Sequence, residues 1–187
     1  MATRTTAVPW TASLAARRTI AVVLGALVVA VGAQIAVTIP GTAVPLTFQV
    51  PAVLVVGGLL GPRLGAASLG LYLLMGLGGL PVFAPMGAPG VARLVGPTGG
   101  YLLAFPVAAA VVGAIARPAV ISRTAVAVIA GLLIIHAGGV AQLAVLGGDL
   151  GVATRLGSIP FLLGDVLKLL LAGLLIVRFA APSRAHL

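Results

Sequence analysis

The chain has 187 residues, of which 61% are hydrophobic and 7% are charged, and it contains no cysteine. A soluble domain carries about 25% charged residues and could not cover so much apolar surface, so the composition excludes a soluble enzyme, a disulfide scaffold and a disordered chain. The net charge of +9 comes from basic residues scattered singly between apolar runs, which indicates a membrane protein and no nucleic-acid partner.

Six apolar segments are predicted to cross the membrane, because a spanning helix needs roughly 20 apolar residues, and fewer where the helix is buried. Gly61-Pro62 separates the second segment from the third, since Gly-Pro interrupts helices and Arg63 would be costly inside the bilayer. The sequence therefore predicts an all-α, polytopic membrane protein with lipid around it. The predicted spans are 19–38, 48–61, 63–79, 97–117, 124–146 and 159–180.

The basic residues predict the orientation of these spans. With six spans, Arg93 and Arg155 fall on one side of the membrane and most other arginines fall on the opposite side. By the positive-inside rule, both termini are then cytoplasmic. We expect a cytoplasmic tail at 1–18, a membrane domain at 19–180 and a second cytoplasmic tail at 181–187, in the plasma membrane. The majority group comprises Arg4, Arg17, Arg18, Arg63, Arg117, Arg123, Arg178 and Arg184.

Asp165 and Lys168 lie three residues apart inside predicted helix six, so they share one helix face. They could neutralise each other and lock helix packing, or they could form a ligand site. Charged groups inside a membrane usually face a cavity and mark function. We favour the ligand site, with the carboxylate accepting N–H bonds and the ammonium donating to an oxygen.

Other polar residues are predicted at a similar depth, in the outer half of the membrane. Thr47 is predicted to cap helix two, and Gln49 is either a helix contact or a ligand contact. Gln34 and Gln142 are interpreted mainly as helix–helix contacts, and Gln142 is kept as a candidate ligand contact. His136 is interpreted as a packing residue rather than a proton relay, because no carboxylate is expected at its depth.

The apolar segment from Leu80 to Gly96 has no helical period and is predicted to be either an interfacial loop or a lid over a pocket. As a lid, it would place Arg93 near an anionic group of the ligand. The GPTGGY segment follows it, with Gly99 allowing close backbone approach and Tyr101 one turn into helix four.

Five motifs resemble the BioY family, the biotin-binding S components of energy-coupling factor (ECF) transporters. The resemblance implies a six-helix membrane subunit that binds biotin in an outward-facing pocket under two closing loops. It also implies association with a transmembrane coupling subunit and two cytosolic ATPases. The motifs are VPLTFQ (44–49), GGLLGPRLGA (57–66), YLLMGLGGLPVF (72–83), GPTGGYL (96–102) and PFLLGDVLK (160–168).

Site residues are transferred only where these motifs match. Asp165 and Lys168 match the family's polar pair, which implies that Asp165 accepts a ureido N–H while Lys168 meets either the ureido oxygen or the valerate carboxylate. Tyr101 and Gly99 match the pocket wall, and 47–49 matches the first loop through Thr47 and Gln49. The lid departs from the family's glycine-rich run at 84–89, so ligand contacts in that stretch are not transferred.

Helix one carries the small-residue pattern Ala26-x3-Ala30, which is predicted to contact the coupling subunit. An enzyme is not expected, because two acids, two histidines and no cysteine leave little for catalysis. No metal or cofactor is expected, and ATP hydrolysis must come from a partner. The alternative function is a stand-alone ion- or proton-coupled carrier that uses Asp165.

Overall fold

A computed structural model describes residues 13–185 and residue 187. Arg4 and most of the predicted N-terminal tail lie outside these residues. The described chain is mostly helical, as predicted, with one short hairpin. The helices are α1 (Leu14–Gln34), α2 (Gln49–Leu77), α3 (Val91–Val95), α4 (Gly99–Ile115), α5 (Ile121–Gly147), α6 (Leu150–Gly157) and α7 (Leu162–Ala185), with a 3-10 turn at Ile159–Phe161. The strands are β1 (Ala36–Val37) and β2 (Leu46–Thr47).

Among the described residues, four helical segments are long and apolar enough to cross a membrane. α4 is equally apolar but has only 17 residues. These lengths fit a membrane protein. The four segments are Leu14–Gln34, Gln49–Leu77, Ile121–Gly147 and Leu150–Ala185.

The first helix begins and ends earlier than predicted. The Ser13 hydroxyl accepts a hydrogen bond from the Ala16 amide at 3.2 Å, so α1 begins at Leu14 instead of residue 19. Arg17 and Arg18 therefore lie inside the helix instead of before it. α1 ends at Gln34 instead of residue 38, because the chain then enters an antiparallel hairpin in which β1 pairs with β2.

α2 is a helical hairpin and not one straight rod. Gly61 interrupts it with φ 80° and ψ 179°, which confirms the predicted break at Gly61-Pro62. The Gln49 Nε2 atom lies 2.7 Å from the Tyr72 hydroxyl, although 23 residues of straight helix would span about 35 Å. The arms 49–60 and 62–77 therefore run antiparallel.

Close backbone contacts hold the bundle together. α2 packs against α1, α4 and α7, and α4 packs against α5. A Cβ on Gly100 would overlap the backbone oxygen of Gly138, and a Cβ on Gly138 would lie 2.6 Å from the oxygen of Gly100. Glycine at both positions lets α4 and α5 approach to backbone contact.

Ala26 and Ala30, which are predicted to contact the coupling subunit, are buried within this chain. Ala26 is 0% exposed and Ala30 is 8% exposed. The same face of α1 is covered by α2, where a Cβ on Gly25 would lie 2.5 Å from the Ser68 hydroxyl oxygen. The small residues serve packing within the chain, so the outward face of α1 consists of large aliphatic side chains instead.

Between predicted spans, the structure contains elements that the sequence did not predict. α3 is a one-turn helix inside the segment 80–96, which was expected to have no helix. α6 and the 3-10 turn separate α5 from α7. Asp149 caps α6, with its Oδ1 accepting from the Val152 amide at 2.7 Å.

The two ends of the bundle differ in character. The hairpin end contains β1, β2 and the segment 78–98, which we call the covering loop. The terminal end contains the beginning of α1 and the end of α7, where Arg18 Nε donates to the Leu187 carbonyl at 2.8 Å.

Arg184 joins three helices at the terminal end. Its Nη2 donates to the carbonyls of Gly58 at 2.7 Å and Gly113 at 3.1 Å, and its Nη1 donates to that of Ala116 at 3.4 Å. In a continuous helix the Gly58 carbonyl would accept from residue 62, but Pro62 has no N–H. The guanidinium therefore satisfies a carbonyl that the α2 break leaves unpaired.

Arg184→Met is expected to lower the free energy of unfolding by about 2 kcal/mol, because the Gly58 carbonyl loses the two bonds that Arg184 Nε and Nη2 donate to it. Thermal unfolding of the purified protein in detergent, followed by circular dichroism, measures the change. Arg178→Met is the matched control, since Arg178 is exposed and lies over the Phe179 ring. Equal stability of the two variants would contradict the proposed role of Arg184.

Candidate functional site

A cavity lies at the hairpin end between α2, α4, α5, α7 and the covering loop. Its wall combines apolar side chains, among them Phe83, Phe105 and Phe161, with polar and charged ones, as the walls of small-molecule sites do. Six of the eight predicted ligand-binding residues line it, and His136 joins them. The six are Thr47, Gln49, Arg93, Tyr101, Asp165 and Lys168.

Asp165 is the centre of a polar cluster in the cavity wall. It is 2% exposed, and both of its carboxylate oxygens are engaged. Lys168 Nζ donates to Oδ1 at 2.9 Å, and His136 Nε2 lies 2.8 Å from Oδ2. The predicted shared face of Asp165 and Lys168 is confirmed, and the two side chains are 3% and 11% exposed.

The interpretation of His136 as a residue without a carboxylate partner is wrong. It placed Asp165 in the outer half of the membrane and His136 deeper, midway along the fifth helix. α6 packs against α5. Together with the 3-10 turn, it leads the chain back along α5 before α7 begins. Asp165 consequently meets His136, which lies 11 positions before the last residue of α5 at Gly147.

Thr47 and Gln49 belong to a second hydrogen-bonded group at the start of α2. The Thr47 hydroxyl accepts from the Gln49 amide at 3.3 Å. The prediction that Thr47 caps the helix is wrong, because Phe48 is the N-cap residue and its side chain makes no capping bond. The Thr47 hydroxyl also donates to Gln49 Oε1 at 3.1 Å, and Gln49 Nε2 donates to the Tyr72 hydroxyl at 2.7 Å. This group fixes the hairpin side of the cavity against the second arm of α2.

Tyr101 forms part of the opposite wall. Its hydroxyl donates to the Gly157 carbonyl at 2.5 Å, which ties α4 to the end of α6. Its ring occupies the space that a side chain at Gly139 would fill, and its edge faces His136 at 6.5 Å between centroids. The ring is therefore held in place by packing before any ligand arrives.

Arg93 lines the cavity from the covering loop and is 7% exposed. Its Nη1 donates to the Met86 carbonyl, and its Nη2 donates to the Ala84 carbonyl at 2.5 Å. Nε has no hydrogen-bond partner among the described residues. Burial lowers the pKa of this guanidinium from its ordinary value. Arg93 therefore organises the loop, in addition to bringing positive charge to the cavity.

Gln34 fastens the first part of the covering loop to α1. Its Nε2 lies 3.3 Å from the Pro81 carbonyl oxygen and 3.2 Å from that of Phe83. The Phe83 ring packs edge-on against Tyr72, with centroids 5.5 Å apart. The interpretation of Gln34 as a helix–helix contact is therefore wrong, because its side chain donates to carbonyls of the covering loop.

Gly99 and Gln142, both predicted to contact a ligand, do not line the cavity. Gln142 Nε2 donates to the carbonyls of Leu94 at 2.8 Å and Gly96 at 2.6 Å. A Cβ on Gly99 would overlap the Leu94 carbonyl and approach the Gln142 amide. Both residues support the second end of the covering loop instead.

These features define a helical membrane protein with a cavity near one end of its bundle and a buried polar cluster in the cavity wall. The family model of BioY matches residues 3–184. The chain belongs to the BioY family, which confirms the resemblance seen in its motifs. This membership also confirms the expectation of a transporter and not an enzyme.

Individual relatives agree with the family assignment. The chain is 43% identical over 138 residues to the probable biotin transporter BioY of Pyrococcus horikoshii, covering 74% of this chain and 80% of that protein. It is 39% identical over 151 residues to the biotin transporter BioY of Thermotoga maritima, covering 80% of this chain and 88% of that protein.

A solved structure shares the fold. The crystal structure of the S-component for biotin from an ECF-type ABC transporter superposes with a TM-score of 0.77 at 25% sequence identity. The match covers 87% of this chain and 89% of that chain.

Proposed function

We propose that this chain is the substrate-binding subunit of a vitamin importer and captures biotin from outside in the cavity at the hairpin end. The observation that carries this proposal is the buried cluster of Asp165, Lys168 and His136 in the wall of the cavity, in a member of the BioY family. Biotin is the ligand, and no cofactor takes part.

The chemistry of biotin matches the groups in the cavity. Its ureido ring has two N–H donors and one carbonyl oxygen, and its valerate tail ends in a carboxylate. Asp165 accepts a ureido N–H, while Lys168 donates either to the ureido oxygen or to the carboxylate. Tyr101 and Phe161 cover the apolar part of the ligand, as in other small-molecule pockets.

Six membrane crossings are part of this proposal, and the helical hairpin of α2 supports them. α1, the two arms of α2, α4, α5 and α7 give six antiparallel segments between the hairpin end and the terminal end. The arginines near the terminal end make this the cytoplasmic side by the positive-inside rule, with both termini there and the protein in the plasma membrane. These arginines are Arg17, Arg18, Arg63, Arg117, Arg123, Arg178 and Arg184.

Transport requires partners in this proposal. The similar solved structure is a component of an ECF-type ABC transporter, which supports association with a transmembrane coupling subunit and two cytosolic ATPases. The only lysine, Lys168, lies in an apolar helix and not in a phosphate-binding loop. A stand-alone proton-coupled carrier is not favoured, because the comparison points to an ATP-driven assembly.

The purified full chain in detergent is expected to bind biotin in isothermal titration calorimetry. Lipoate is the control ligand, because it has the same valerate tail but lacks the ureido ring. Because Asp165 is proposed to meet a ureido N–H, lipoate is expected to bind at least about 100-fold more weakly, as sites built to bond a polar group reject analogues that lack it. Equal binding of the two acids, or no biotin binding by folded protein, would contradict the proposal.

A further inference from the structure

His136 lies in the cavity wall, but it is outside the five motifs that resemble the BioY family. Its Nε2 lies 2.8 Å from Asp165 Oδ2, and its side chain is 13% exposed. Its Nδ1 is buried and has no hydrogen-bond partner among the described residues. One ring nitrogen is therefore committed to the carboxylate while the other bonds nothing.

We propose that His136 is a positioning residue for ligand binding, which holds the Asp165 carboxylate through an Nε2–H donor. This inference rests on the proposed function. A carboxylate oxygen at 2.8 Å requires a proton between the two atoms, because two lone pairs at that distance would repel each other. Nε2 therefore carries the proton.

The position of His136 matters when the ligand arrives. Lys168 holds Asp165 Oδ1 and lies on the same helix, whereas His136 reaches Oδ2 from α5. If Lys168 turns to an oxygen of biotin, Asp165 loses one donor. His136 remains as the donor that keeps the carboxylate oriented toward the ureido N–H.

The test compares three substitutions at one position by calorimetric titration with biotin. His136→Phe retains a ring but removes the donor, so biotin affinity is expected to fall about 10- to 100-fold, the effect of losing a hydrogen bond to a charged group. His136→Gln removes the ring but places an amide N–H near the position of Nε2, so affinity is expected to stay within about threefold of wild type. His136→Asn carries the same amide on a shorter side chain that does not reach Asp165, so it should bind as weakly as the Phe variant.

A purely structural role of His136 predicts the opposite order, because Phe preserves ring packing better than Gln does. Thermal unfolding of each variant establishes that it is folded. If the Phe variant does not fold, the difference in biotin affinity between the Gln and Asn variants tests the role of the donor. Wild-type affinity in the Phe variant, or a Gln variant as weak as the Asn variant, would overturn the role of His136 while biotin binding by wild type stands. Absence of biotin binding by wild type would instead overturn the proposed function, and this inference with it.

Discussion

Replacing Asp165 by Asn is expected to weaken biotin binding strongly. The substitution keeps the shape of the side chain but removes the charge that Lys168 and His136 share, at 2.9 and 2.8 Å, and with it the carboxylate proposed to accept a ureido N–H. A hydrogen bond to a charged group contributes about 1.5–3 kcal/mol, and each 1.4 kcal/mol corresponds to a factor of ten in affinity. Biotin affinity measured by calorimetry should therefore fall about 10- to 100-fold.

The chain offers a matched control for this substitution, because it contains only two acidic residues. Asp149 caps α6 outside the cavity and is exposed. Asp149→Asn should leave biotin affinity within about threefold of wild type, since Asn is also a good N-cap residue. Biotin binding by Asp165→Asn at wild-type strength would remove Asp165 from the site.

Gly100→Val is expected to destabilise the bundle more than any surface substitution. The side chain would enter the backbone of α5 at Gly138, where no flexible group can move aside. Overpacking a core costs about 1–3 kcal/mol and occasionally more. We expect about 3 kcal/mol here, which lowers the unfolding midpoint by about 6–12 °C in a chain of this size.

Gly173→Val is the matched control, because a Cβ at Gly173 in α7 meets nothing within 4 Å. Thermal unfolding in detergent compares the two variants with wild type. If Gly100→Val yields no folded protein while Gly173→Val is produced normally, the destabilisation is confirmed in its strongest form. Equal midpoints for the two variants would show that α4 and α5 do not meet at Gly100.

Features with a local cause could be predicted from the sequence. The break at Gly61-Pro62 follows from the missing proline N–H and the freedom of glycine at positive φ. The shared face of Asp165 and Lys168 follows from helical spacing alone. Each of these predictions uses only residues that are neighbours in the sequence.

Features that depend on the path of the chain could not be predicted in this way. The contact of His136 with Asp165 depends on the position along α5 at which α7 begins. That position is set by α6 and the 3-10 turn, which the sequence did not predict. The pattern at Ala26 and Ala30 indicates close packing but does not identify the partner, and α2 of the same chain takes that place. Gln142 lies near the hairpin end of the bundle, as predicted. Its amide, however, donates to carbonyls of the covering loop and does not face the cavity.

The way in which the covering loop is fastened has a consequence for the divergence of this protein. Gln34, Arg93 and Gln142 all bond main-chain oxygens of the loop and none of its side chains. Every residue type supplies such an oxygen, so most loop positions can mutate without losing their attachment. Within 84–89, Gly87 is an exception, because its φ is 107° and a Cβ there would lie 2.6 Å from Arg93 Nη1. The other positions of this stretch can change while the three anchors hold the course of the loop.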